Sequence, residues 1–231
     1  MRLLKAQDHE KIRAAVEAAE ARTSGEIVCV LAQECSDYWE VPLAWAGGVS
    51  MLGPAAALLL GFRPDLIDRL GGGWTAAHAS SVDAAVSQAL IAYVIAQAAL
   101  FVAVALIASI PPIRRLLTPA SLKRERVRRR AQEQFAARAM HLTEGKTGVL
   151  IFASLAERRA EVIAEEGISE KVDPAQWSEV LAALVAGMKA RDPGSGFAAA
   201  IGKAGDLLAK HAPRRPDDRN ELPDTVIELG R

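Results

Sequence analysis

The sequence predicts an α/β fold, a sandwich of a small mixed sheet and helices, interrupted by a two-helix transmembrane hairpin. Three observations carry that prediction. Charged residues are 24% of the chain, yet none occurs in 41–62 or in 84–113. Two short runs, 26–31 and 147–152, are apolar on both parities, as strands in the middle of a covered sheet are. Most of what remains carries apolar residues at helical spacing.

The two charge-free stretches read as membrane spans, at about 41–62 and 84–110. A bilayer core roughly 30 Å thick needs about 20 apolar residues in a helix. The first is interrupted by Gly47, Gly48, Gly53 and Pro54, which membrane helices tolerate better than soluble ones, and a kink is expected near Pro54. The second carries Leu90, Ile91, Val94, Ile95, Leu100, Phe101, Val102, Val104, Leu106 and Ile107. Neither reads as a cleaved signal, because 1–22 is charged and amphipathic and the first apolar run begins only at Val41. Net charge is zero, so bulk charge argues for neither nucleic acid nor an acidic partner.

Local charge sets the expected orientation. From 114 to 130 there are eight basic residues (Arg114, Arg115, Lys123, Arg124, Arg126, Arg128, Arg129 and Arg130) against one acid, Glu125. The loop 63–83 has two basic residues, Arg63 and Arg69, and three acids, Asp65, Asp68 and Asp83. By the positive-inside rule the loop lies outside and both termini are cytoplasmic, in an inner membrane crossed more than once. Trp39, Trp45 and Trp74 are placed to act as interfacial anchors. The basic run lacks interleaved aromatics and abuts a span, so its expected partner is anionic lipid head groups rather than nucleic acid.

The rest reads as one domain split by the hairpin, with parts at 1–40 and 114–212 and a polar tail at 213–231. Ile12, Val16 and Ala19 mark a first helix over about 7–21, with Asp8 as candidate cap. Gly25 then leads into a strand whose sheet partners must come from beyond the hairpin. A charged helix over 122–140, with Phe135 on its distal part, precedes a turn at 144–146. The strand 147–152 follows, and 154–158 connects it as a hairpin to an antiparallel strand over 159–164. Asp173 and Pro174 open the next helix as N-cap and first position. That helix has an apolar face of Trp177, Val180, Leu181, Leu184, Val185 and Met188, and a loop over 191–196 leads to a last helix striped by Phe197, Ile201, Ala204, Leu208 and His211.

This order, with the segments Thr23-Ser24-Gly25-Glu26-Ile27-Val28-Cys29-Val30, Lys146-Thr147-Gly148-Val149-Leu150-Ile151-Phe152 and Glu157 to Ile168, the helix from Trp177 and the closing helix from Gly196 to Leu208, resembles the TPM family. The family is named for a thylakoid-lumen protein, a photosystem repair protein and a nematode receptor modulator. More narrowly, Ser36-Asp37-Tyr38 entering Val41-Pro42-Leu43, and the tail Arg219-Asn220-Glu221-Leu222-Pro223-Asp224, are similar to its bacterial membrane branch, in which a hairpin interrupts the domain. The resemblance implies a TPM-like sandwich. It also implies two activities described for some relatives, phosphatase action and divalent-metal binding, with calcium or magnesium as the cofactor.

The residues themselves offer little catalytic chemistry. Cys29 and Cys35 form neither a CxxC pair nor a phosphate loop, there is no Asp-x-Asp-x-Thr, and Gly194-Ser195-Gly196 reads as a short turn into a helix. His9, His78, His141 and His211 are scattered, without a second ligand one turn away. An oxygen-rich metal site needs several converging carboxylates. Asp37, Glu165 and Glu166 are the candidates, with Glu34 and Asp173 beside them, if strand ends gather them on one rim; solvated surface carboxylates are the simpler reading. The expected role is therefore a non-catalytic assembly, scaffold or regulatory factor for membrane proteins, and the rival is a divalent-metal-dependent phosphatase near the membrane surface.

Overall fold

The computed structural model describes residues 3–61, 82–138, 145–218 and 220–230. The chain divides into two units, Met1–Asp37 with Ala120–Arg231, and Tyr38–Pro119.

The first unit is built on a four-stranded sheet of order β3-β2-β1-β4. Strand β1 (Ile27–Ala32) runs parallel to β2 (Val149–Ser154), in register from Ile27↔Val149 to Ala32↔Ser154. β3 (Arg159–Ala164) is antiparallel to β2, from Val149↔Ala164 to Ser154↔Arg159. β4 (Ile227–Leu229) pairs parallel with β1 at Val30–Ala32. Every residue of β1 and β2 is buried, because helices or chain cover both faces. Ile27, Cys29, Leu31, Val149, Ile151 and Ala153 point into one core with α1 (Ala6–Glu20), α7 (Pro174–Lys189) and α8 (Pro193–His211). Val28, Val30, Ala32, Leu150 and Phe152 point into the other, covered by Val127 and Ala131 of α5 (Ala120–Ala137) and by Leu222. Each large apolar side chain so removed from water contributes about 1.5–3 kcal/mol, and the two central strands supply such side chains to both cores.

Local chemistry sets the helix ends. Asp8 is not the N-cap of α1: that position is Lys5, and the Asp8 carboxylate, inside the first turn, accepts the Lys5 N–H at 3.1 Å. Asp173 caps α7 as the sequence predicts, accepting the Ala175 N–H at 2.7 Å. The expected loop over 191–196 is shorter, because Asp192 caps α8 by accepting the Ser195 N–H and the helix already begins at Pro193. α7 and α8 cross where Gly187 meets Gly196; a Cβ on Gly187 would stand 2.2 Å from the Gly196 Cα.

The segment read as a polar tail is the source of β4, which closes the sheet beside β1. Three residues are too few for a period-2 pattern to register as a strand. The short α6 (Glu166–Ser169) was likewise not legible.

In the second unit, α2 (Glu40–Leu59), α3 (Val82–Ser109) and α4 (Pro111–Leu117) follow in order. Pro54 lies inside α2, which packs along α3. Leu90–Ser109, in the second predicted span, is the one helix among the described residues that is long and apolar enough to cross a membrane by length and composition, and apart from Ala108 none of its residues is buried within the protein. The first predicted span does not share that distinction. Most of the predicted loop 63–83, with Trp74 and His78, lies outside the described residues, as do His141 and Glu144.

Candidate functional site

In sheets with parallel strands, the crevice beyond the carboxyl ends of those strands is where ligands gather. Here that rim is formed by the segments after Ala32 and Ser154. The Leu155 and Ala156 N–H groups bond the Ala32 and Gln33 carbonyls, each at 3.0 Å, so the two exits stay together. Arg158, at φ 53°, turns the chain back into β3.

Within this rim the Glu157 side chain, 8% exposed, accepts the Cys35 N–H at 3.2 and 3.3 Å and the Ser154 hydroxyl. Glu34 is buried alongside in sequence. A serine hydroxyl on a carboxylate has the outline of an activated nucleophile. Ser154 is only 2% exposed, however, so substrate does not reach its oxygen. Burial, with the Glu157 charge adding to it, pushes the Cys35 thiol up to about 12, which leaves it protonated and a poor nucleophile at neutral pH. The trio is a polar lock between two loops.

The predicted metal residues are not brought onto one rim. Asp37 is exposed and lies two residues beyond Cys35, at the rim just described. Glu165 and Glu166 follow the opposite end of the sheet, because β3 is antiparallel and its Ala164 stands beside Val149 and so near Ile27. A six-residue strand separates the two rims by roughly 20 Å. Glu165 is buried and accepts the Gly148 N–H at 2.7 Å, while Glu166 pairs with Lys146 at 3.0 Å. Asp173 is occupied as a cap. Among the described residues no three His, Cys, Asp or Glu side chains are grouped as metal ligands would be.

That second rim holds a carboxyl group the sequence does not reveal. Glu20 accepts the Ile27 N–H at 2.9 Å, and Glu26 accepts those of Glu221 and Leu222 at 3.2 and 3.3 Å. Burial pushes Glu20 up to about 8, with Glu26 and Asp224 reinforcing it against the opposing Ile27 hydrogen bond. Burial also raises Glu26. Farther along the tail, Glu228 accepts the Leu3 and Leu4 N–H groups at 2.7 and 3.1 Å and contacts His9 Nε2 at 2.8 Å. Burial opposes its ionisation, but these partners outweigh it and hold the carboxyl below its usual range. Glu20 and Asp224 stand at opposite ends of the chain, and no spacing rule connects them. Glu157 had a faint signal only, as a polar residue in a predicted hairpin.

A family model, the TPM domain, matches residues 114–207. No curated protein matches the chain. The NMR structure of the BA42 protein from the psychrophilic bacterium Bizionia argentinensis is similar over 98% of this chain and 96% of that one, with a TM-score of 0.55 and 20% identity. At that identity the likeness is one of fold.

Proposed function

We propose that this chain, whose residues 114–207 match the TPM domain, is a multi-pass membrane protein whose TPM domain works at the cytoplasmic face as a non-catalytic assembly, scaffold or regulatory factor for other membrane proteins. The observation that carries this reading is the helix Leu90–Ser109, uncharged, strongly apolar on average and almost wholly unburied within the protein. Leu90, Ile91, Val94, Ile95, Val102 and Leu106 are all exposed, a surface that water penalises and hydrocarbon accepts. The charge-free first stretch completes a hairpin in this reading, and the eight basic residues that follow the second keep both termini inside. The non-catalytic part is supported by how the polar groups are used. Glu157, Glu165 and Asp173 each hold backbone N–H groups, and the Cys35 thiol is protonated.

Fractionation tests the first claim: the full chain should stay with membranes through alkaline carbonate, and its release would overturn the membrane reading. A reporter fused after Arg231 should be active in the cytoplasm; activity confined to the other side would reverse the topology. The detergent-solubilised chain should not turn over a generic phosphate ester with calcium or magnesium. Turnover that is lost in Asp37→Ala or Glu166→Ala would replace the scaffold reading with a metal-dependent phosphatase.

A further inference from the structure

The basic helix α5 has one face already in use. Val127 and Ala131, four apart, are buried against the sheet, with Phe135 half-buried beside them and Ile163 of β3 across from them. Arg124, Arg128 and Arg129 are exposed. The helix carries six basic residues, Lys123, Arg124, Arg126, Arg128, Arg129 and Arg130, and two acids, Glu125 and Glu133. Glu133 is shared by Arg129 at 3.3 Å and Arg130 at 3.1 Å. Glu161 on β3 lies near Arg124 and Arg128, with its carboxyl half-buried. Within its own sequence the helix thus carries more basic than acidic residues.

Ala120 follows Ser109, the end of the apolar helix, by 11 positions. A basic helix tethered so near a span has anionic head groups as its nearest abundant counter-charge. The packing adds a restriction that charge alone does not. An interfacial amphipathic helix normally binds by sinking its apolar face among acyl chains. In α5 that face is held by the sheet, so only the guanidinium heads are left for the lipid.

We infer that the Arg124–Arg128–Arg129 face of α5 is a docking surface for the head groups of anionic phospholipids, made through charge alone and without insertion. The inference rests on the membrane reading above and specifies what the domain touches there. Its signature is strong sensitivity to salt and to lipid charge, and indifference to acyl-chain packing.

The full chain would be reconstituted in nanodiscs of phosphatidylcholine, or of phosphatidylcholine and phosphatidylglycerol in equal parts, and amide exchange followed over α5. Exchange should be slower by about fivefold or more in the anionic discs, the factor that roughly one head-group contact carries. It should return to the neutral-disc rate at roughly 0.5 M salt. In the triple variant Arg124→Gln, Arg128→Gln, Arg129→Gln the slowing should vanish while exchange in β2 stays as it was, which shows the domain still folded. Equal exchange in the two discs would overturn the docking surface alone. Failure of the chain to co-purify with either disc would overturn the membrane reading and the surface with it. Protection in neutral discs by added inorganic phosphate or by a short oligonucleotide, matching that in anionic discs, would assign the face to a soluble anion and overturn the lipid.

Discussion

Glu157 sits where the loop after β1 meets the turn after β2, and its two oxygens take the Cys35 N–H and the Ser154 hydroxyl. Glu157→Ala leaves both donors buried without a partner, at about 1–3 kcal/mol for each such group. Thermal unfolding of the solubilised chain should show a loss of about 2–4 kcal/mol. Glu157→Gln keeps an acceptor oxygen and should lose less; equal losses would mean that the lock depends on charge. Glu20 behaves oppositely. Its folded-state pKa is raised to about 8 from 4.5, so between those values the folded chain holds the proton and the unfolded chain does not. Stability therefore falls as pH rises through that window. Glu20→Gln retains an acceptor for the Ile27 N–H and should flatten the decline, with a higher melting temperature than the native chain at pH 9 and little difference at pH 5. A parallel decline in both proteins would remove Glu20 as its cause.

The contact between α7 and α8 depends on two glycines more than on any large side chain. A Cβ on Gly187 would fall 2.2 Å from the Gly196 Cα, and one on Gly196 would fall 2.9 Å from the Leu184 carbonyl oxygen. Backbone atoms cannot swing aside as a side chain can, so Gly187→Ala should cost at least the roughly 1–3 kcal/mol typical of overpacking. Denaturant unfolding measures it; a midpoint equal to that of the native chain would show that the helices slide apart freely. Strand β4 is the weaker element. It pairs with only half of β1, and Glu228 ties it to Leu3, Leu4 and His9. Glu228→Ala should speed amide exchange at 226–229 and at 3–9 and leave β2 unchanged, a local release. Equal acceleration in β2 would make the clamp part of the global fold.

At the scale of the molecule, the sheet joins strands from the two sides of the insert. β1 precedes Tyr38–Pro119 and β2 follows it, yet the two are hydrogen-bonded along their whole length. In a membrane, both ends of the insert must emerge on one side before that pairing can form. Because the first unit has its own two cores, a chain with 38–119 replaced by a flexible Gly/Ser linker should fold as a soluble domain and melt cooperatively. Aggregation of that chain at all linker lengths would show that the sheet needs its insert.

The residues by themselves determined the periodic features: the charge-free stretches, the two strands apolar on both faces, the antiparallel turn from β2 to β3, the Asp173 cap and the stripe along α8. Each of these is a local pattern in which burial on one side or both dictates residue type every two or every three to four positions. Only the tertiary structure decided which strand ends share a rim. The carboxylates of Asp37, Glu165 and Glu166 look alike in sequence, but the antiparallel course of β3 sends the last two to the far end of the sheet. The same long-range pairing made a strand of Ile227–Leu229 and set Glu20 near Asp224. Charge and hydrogen bonding across such distances leave no periodicity behind. The sequence therefore located the charge-free segments and the domain they divide, and folding alone revealed that the domain's buried acids serve mainly to bind its own backbone.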